Sequence, residues 1–210
     1  MTNTGISDEN APVLVLASQS PRRLELLKQI GFTPQCLPAD VDETPLDNET
    51  PNELVMRLAS LKASACIDKP GFSSLIRPDG KTVILAADTV IDLDGQLLGK
   101  PTDEAHALDM LQQLSGREHL VHSGVCVLEA DTGKRRAALV TTSVQFTTLT
   151  RQVAQRYWRT GEPLGKSGSY AIQGTGAQFV VQLSGSYSNV VGLPLYETTQ
   201  LLARSGLSSL

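Results

Sequence analysis

Val83-Ile84-Leu85-Ala86-Ala87-Asp88-Thr89-Val90-Ile91 is the stretch whose reading decides the fold. Its first five residues are all apolar, as in a strand buried on both faces. Asp94-Gly95 follows closely and is a strong signal for a tight hairpin turn. A buried strand that turns straight back on itself belongs to a sheet with antiparallel pairs. Other strands in the chain run into helices instead. Val13 to Ala17 reads as a short buried strand, and Ser18-Gln19-Ser20 as the tight loop after it. The mixture predicts an α/β fold with a mixed sheet rather than an all-parallel one.

The helices carry their own punctuation. Ser20 suits an N-cap and Pro21 the first helical position. Leu24, Leu26, Leu27 and Ile30 then form a broad apolar face, which Gly31 ends. Gln35 to Leu37 reads as a strand, and Pro38 to Asn48 as an acidic loop. Thr50-Pro51-Asn52-Glu53 has the form of a capping box, with Leu54, Leu58, Leu61 and Ala65 as the stripe behind it. Lys69 to Gly80 reads as a surface loop. Thr102 is the expected cap of the next helix, whose stripe is Ala105, Leu108, Leu111 and Leu114. His119 to Leu128 and Leu139 to Phe146 read as strands joined around Asp131-Thr132-Gly133. A helix over Thr150 to Arg159 precedes the irregular, glycine-rich segment from Glu162 to Gly176. Gln178 to Leu183 reads as a strand, and Pro194 opens a last helix to about Arg204.

Composition narrows the function classes. The chain has 210 residues, 40% hydrophobic and 19% charged, which suits one large domain or two small lobes. A net charge of -4 disfavours general nucleic-acid binding, so a polyanionic ligand would need a local basic pocket. Cys36, Cys66 and Cys126 are far apart in sequence and fit small core residues in a reducing compartment. No apolar run approaches the roughly 20 residues of a membrane span. Residues 1–12 are polar, lack the apolar core of a signal peptide, and read as a loose leader. The expectation is a cytoplasmic protein with one domain over residues 13–204 and a short tail over 205–210.

Asp88 is the anomaly in the opening stretch. An ionised carboxylate loses its water on burial and needs a positive partner. Arg22 and Arg23 at a helix start, and Lys100 just downstream, are the candidates. Two arginines in a first turn are locally unfavourable unless an anion binds there. An acid facing such a basic cleft fits metal-assisted chemistry on a nucleotide, with Asp88 either a metal ligand or the base for a water. Asp42-Glu43 matters only as a second carboxylate near Asp88; otherwise it is a solvated loop. Lys62, taken alone, reads as a snorkelling surface lysine.

Other motifs lead nowhere. Gly161-Glu162-Pro163-Leu164-Gly165-Lys166-Ser167 imitates a Walker A loop, but only three residues separate its glycines where four are required. It also follows a helix rather than a strand. Such a segment can still wrap a ligand, and Gln173 is a fit side chain for reading a base edge. His106, His119 and His122 show no zinc-ligand spacing, and His119 and His122 read as ordinary strand-surface residues. Ser18, Ser20 and Ser167 lack a G-x-S-x-G frame.

In order along the chain, these blocks resemble the Maf family of nucleoside triphosphate pyrophosphatases. The resemblance runs through Leu16-Ala17-Ser18-Gln19-Ser20-Pro21-Arg22-Arg23, Asp42-Glu43, Arg57-Leu58-Ala59 with Lys62-Ala63, and Ala87-Asp88-Thr89. It continues through Gly99-Lys100-Pro101, Leu114-Ser115-Gly116, Lys166 to Gly174, and Val191-Gly192-Leu193-Pro194. It implies a mixed, twisted sheet flanked by helices, in two lobes around a deep cleft of the inosine triphosphatase-like kind. It also implies hydrolysis of a nucleoside triphosphate to the monophosphate and pyrophosphate with Mg2+ or Mn2+, and usually a homodimer. By resemblance, the catalytic proton acceptor is Asp88, and the metal would be held by Glu43 and Asp88. Ser20, Arg23, Lys62, Lys100 and Lys166 would bind phosphates, and Arg22, Thr89 and Gln173 would choose the base. The set looks like the branch acting on dTTP and UTP. The alternatives are the sibling branch acting on 7-methyl-GTP and a non-catalytic nucleotide-binding regulator of cell division.

Overall fold

A computed structural model describes residues 12–76 and 81–209. The leader expected over residues 1–12 therefore lies, apart from Pro12, outside the described residues. β1 (Val13–Leu16) leads into α1 (Pro21–Gln29), and β2 (Gln35–Cys36) returns beside β1. A long loop precedes α2 (Pro51–Ile67). β3 (Thr82–Leu93), β4 (Gln96–Leu98), α3 (Glu104–Leu114), β5 (Glu118–Glu129), β6 (Arg135–Phe146) and α4 (Arg151–Trp158) follow. The chain closes with β7 (Val180–Ser184), α5 (Tyr187–Val191) and α6 (Leu195–Ala203). Among the described residues no helix is long and apolar enough to cross a membrane.

These strands form one mixed sheet in the order β2-β1-β3-β5-β6-β7, with β4 hairpinned onto the far end of β3. β1 pairs parallel with both β2 and β3, and the remaining pairs are antiparallel. This is the α/β sheet with helical cover that the opening stretch predicts. Its centre is β3, buried from Thr82 to Asp88.

Period-two alternation along β3 sorts its side chains between two cores. Val83, Leu85 and Ala87 join the larger one, with Leu26 and Leu27 of α1, Leu111 and Leu114 of α3, and Leu201 and Leu202 of α6. Ile84 and Ala86 face the smaller one, with Ala59, Ala63 and Cys66 of α2. Asp88 continues the Ile84-Ala86 row and so points toward α2, while Thr89 points the opposite way. The two neighbours thereby enter different environments.

The capping box of α2 forms as expected: Thr50 Oγ1 accepts the Glu53 N–H at 3.3 Å, and Glu53 Oε2 accepts the Thr50 N–H at 2.9 Å. Leu54 and Leu58 of the stripe behind it are buried as expected, but its second half differs. Leu61 is 41% exposed and Ala65 half-buried, while Val55, Ala59, Lys62, Ala63 and Cys66 face the sheet. The cause is close approach. Gly124 of β5 lies directly under the Val55 carbonyl, where a Cβ would collide with it. Small residues therefore line the contact, and the larger Leu61 is turned out.

Other boundaries shift for local reasons. Asp103, not Thr102, caps α3, its Oδ1 accepting the His106 N–H at 2.9 Å, and Ala105 is exposed. Thr175–Phe179 is a 3-10 turn, so β7 begins only at Val180. β6 starts at Arg135, and α5 is a short helix that sequence periodicity did not reveal. His119 and His122 are not strand-surface residues: both are buried, beside Tyr170 and Thr141 respectively. Cys66 and Cys126 are buried and Cys36 is exposed. In the expected tail, Ser205 is buried and Leu207 packs against the larger core.

Two stability effects follow. Gly124→Ala should cost about 2 kcal/mol, because the backbone of α2 cannot yield as a side chain would; urea unfolding measures it. Burial pushes the His119 imidazole down to about 4, so it is held neutral in the fold. The unfolded chain takes up that proton near the ordinary value of about 6.5. Stability from this group is therefore complete above about 6.5 and lost as pH falls toward 4. Thermal melts between pH 7 and 4 should show that decline, and His119→Phe should flatten it.

Candidate active site

The β1–α1 loop, the loop before α2, α2 itself, the segment after β4 and the segment after α4 converge on one cavity of about 610 Å3. Its walls include Ser18, Ser20, Arg22, Arg23, Lys62, Lys100 and Lys166, with Glu43 among the cations. A smaller cavity of about 90 Å3 adjoins it and shares Arg22, Arg23 and Lys166. Thr89, Ile91, Val121, Ser167 and Tyr170 complete much of that second wall.

Lys62 is the hub. Its Nζ sits 2.6 Å from Asp88 Oδ1 and 2.5 Å from Glu43 Oε1. The two carboxylate oxygens thus lie within about 5.1 Å of each other, the sum of those distances. Lys62 is 9% exposed and Asp88 7%, whereas the Glu43 side chain is about half exposed. The expectation of a surface lysine fails because Lys62 lies on the buried stripe of α2, one turn beyond Leu58 and Ala59. A buried ammonium there needs an acid, and Asp88 is the acid that the β3 alternation supplies. Burial works against the Glu43 charge. The hydrogen bond and charge of Lys62, with Lys100 and Arg23 nearby, more than offset it and hold that carboxyl below its usual value.

Arg23 faces the other row of β3. Its Nε donates to the Gly192 carbonyl at 2.8 Å, Nη1 to Ser18 Oγ at 3.3 Å, and Nη2 to Thr89 Oγ1 at 3.3 Å. Burial pushes its guanidinium down from the usual value, and the Asp88 charge opposes that. Thr89 Oγ1 also lies 2.8 Å from Ser123 Oγ, its register partner on β5. Ser20 occupies the N-cap position of α1, yet its side chain makes no capping bond, and it lines the large cavity. Arg22 lines both cavities, and its Nε is buried with no hydrogen-bond partner among the described residues.

The structure therefore brings together Ser20, Arg22, Arg23, Glu43, Lys62, Lys100 and Lys166 around shared space, with Asp88 bonded to Lys62 and Thr89 to Arg23. Gln173 stands apart: it is exposed and lines neither cavity. Sequence reasoning missed Ser123 and the Gly192 carbonyl. Ser123 carries no motif and is revealed by the strand register; Gly192 lies in a block quoted for the resemblance, but only the turn after α5 shows its carbonyl meeting Arg23. Chemically, a cationic wall of this kind can hold a polyphosphate, with two carboxylates at its edge for a metal or a proton.

A family profile described as Maf-like protein matches residues 13–205. The chain belongs to the Maf family. Among curated relatives of this Maf protein, the dTTP/UTP pyrophosphatase of Pseudoalteromonas atlantica is 49% identical over 196 residues, 93% of this chain and 98% of its own. That of Acinetobacter baylyi is 47% identical over 189 residues, covering 90% and 97% respectively. That of Colwellia psychrerythraea is 43% identical over 210 residues, covering 98% and 95%.

Removing the hub should be costly for the Maf chain itself. Lys62→Met leaves Asp88 buried without its partner and should lower stability at neutral pH by about 3 kcal/mol. Adding Asp88→Asn should return most of that loss, since the pair acts as one unit. Urea unfolding of the two single variants and the double variant reads the coupling.

Proposed function

We propose that this chain is a nucleoside triphosphate pyrophosphatase that hydrolyses dTTP and UTP to the nucleoside monophosphate and pyrophosphate. The observation that carries the reading is the Asp88–Lys62–Glu43 cluster beside a cavity lined by Arg22, Arg23, Lys100 and Lys166. The names of the full-length relatives supply the substrates.

In this reading the triphosphate lies along the cationic wall. Negative charge gathers on the departing pyrophosphate as a water attacks the α-phosphorus. Arg23, Lys62, Lys100 and Lys166 lower the barrier by meeting that charge. Asp88 takes the water's proton or shares a metal, and Lys62 keeps its carboxylate oriented. Arg22 and Thr89, on the wall of the smaller cavity, contribute to base choice. A contact from Gln173 requires the ligand to extend to the rim or the segment to move inward.

The donor set suits a hard divalent cation. Glu43 and Asp88 each commit one oxygen to Lys62 and leave a second oxygen for an ion. Mg2+ commonly takes one or two carboxylates and completes its shell with substrate phosphates and water. Among the described residues no group of three His, Cys, Asp or Glu side chains could hold a metal ion, so an ion on Glu43 and Asp88 would need substrate oxygens and water to complete its shell. When bound, such an ion neutralises phosphate charge and acidifies a coordinated water.

The test is a panel of nucleoside triphosphates with Mg2+ or Mn2+, read by pyrophosphate release. dTTP and UTP should lead the panel. Asp88→Asn should lower kcat about 10³-fold, the scale of a lost general base. Triphosphate binding should persist in that variant. A wild type that releases pyrophosphate from no triphosphate overturns the enzyme reading and favours a nucleotide-binding regulator, whereas full turnover by Asp88→Asn overturns the catalytic role given to Asp88.

A further inference from the structure

The segment that carries Lys166 has little regular structure. Residues 161–176 contain Gly161, Gly165, Gly168, Gly174 and Gly176, and only Ser167–Ser169 forms a 3-10 turn before the one that begins at Thr175. A glycine-rich run has much conformational entropy to lose, so a defined position for Lys166 requires ties elsewhere. One tie is the Gly168 N–H to the Gly99 carbonyl at 3.0 Å, next to Lys100.

The other is a knot around one carboxylate. Glu162 Oε1 accepts the Tyr157 hydroxyl at 2.6 Å and the Gly176 N–H at 2.9 Å. Its Oε2 accepts the Thr175 N–H at 2.8 Å. The Tyr157 oxygen in turn accepts the Ala171 N–H at 3.0 Å. Tyr157 is itself fixed, packed edge-on against Phe179 with centroids 4.9 Å apart. Glycines are required where the knot closes: a Cβ at Gly174 would collide with the Glu162 carboxylate, and one at Gly176 would come within 2.6 Å of the Tyr157 oxygen. One acid thus joins the two ends of the segment to each other and to α4. Glu162 lines neither cavity.

We propose that Glu162 is a positioning residue: by tying Tyr157, Thr175 and Gly176 together it holds the 161–176 segment so that Lys166 stands on the wall of both cavities. The proposal rests on reading those cavities as the triphosphate site. Burial opposes the Glu162 charge, but the Tyr157 hydroxyl and the Gly176 and Thr175 N–H groups more than offset it and hold the carboxyl below its usual value. The knot is therefore intact at neutral pH.

Glu162→Gln keeps the shape but turns an amide N–H2 toward donors. kcat/KM for dTTP or UTP should fall about tenfold, the scale of one lost charge-assisted hydrogen bond, with kcat lowered as well because Lys166 also meets the developing charge. Affinity for inorganic tripolyphosphate, measured by calorimetry, should fall by a similar factor. Removing a negative charge near an anion site would by itself tighten binding, so weaker binding identifies lost position as the cause. Gly174→Ala should reproduce the effect, and the double variant should be no worse than either single one. Tyr157→Phe, a milder change, should weaken tripolyphosphate binding about threefold and serves if Glu162→Gln does not fold. Unchanged or tighter tripolyphosphate binding in these variants overturns the proposal, as do effects that multiply in the double variant. Because tripolyphosphate binding needs no turnover, a wild type without pyrophosphatase activity would sink the proposed function without deciding this point.

Discussion

The ion pair between Lys62 and Asp88 is the constraint on which the site depends. It joins the middle of α2 to the centre of β3, and both partners are buried. Neither charge is tolerable there alone. The pair reaches its place because two periodicities meet. Alternation along β3 turns Asp88 toward α2, and helical spacing places Lys62 above it. Gly124 lets the helix lie close enough for the bond to close. The Asp88 carboxylate is thereby held by the same packing that builds the smaller core.

The opposite row of β3 follows a parallel logic. Thr89 turns away from α2 and meets Ser123, Arg23 and the Gly192 carbonyl. Arg23 spends its Nε on that carbonyl, so its orientation depends on the turn after α5. That turn is fixed by Asn189, which is fully buried and whose amide donates to the Val121 carbonyl at 2.9 Å and to Thr142 Oγ1 at 3.0 Å. The last part of the chain thus orients a side chain from its first helix. Asp88 and Thr89 act as a pair of switch points, one row serving the carboxylate cluster and the other the guanidinium.

Much of this was legible in the sequence, and the exceptions share a cause. The apolar run before Asp88, the Asp94-Gly95 turn and the capping box at Thr50 are local signals, and each formed where it was expected. The basic first turn at Arg22 and Arg23 was readable as cleft-facing rather than solvated, and both residues line the two cavities. Lys62 was misread because a lysine among apolar residues is usually solvated; only the non-local position of Asp88 and Gly124 makes it buried. Leu61 was misread for the same reason, since leucines rather than small residues define a stripe when the approach distance is unknown. His119 and His122 were misassigned because periodicity cannot distinguish an exposed strand face from one covered by a distant segment.

The site's wall is built from elements of very different stiffness. Arg23 and Lys62 stand on helices anchored to the sheet, whereas Glu43, Lys100 and Lys166 stand on connecting segments. Catalysis by charge placement needs donors that do not reorganise as charge develops. A lysine on a glycine-rich run meets that demand only if the run is tied at several points. The bonds from Gly168 to Gly99 and from Glu162 to Thr175 and Gly176 supply the ties, and they use backbone groups that would otherwise be solvated. The glycines at 174 and 176 are then consequences of the knot rather than signs of looseness, since any side chain there would displace the acid or the phenol that closes it. What reads in sequence as an irregular, glycine-rich segment is, in the fold, a braced strut for one of the cavity's cations.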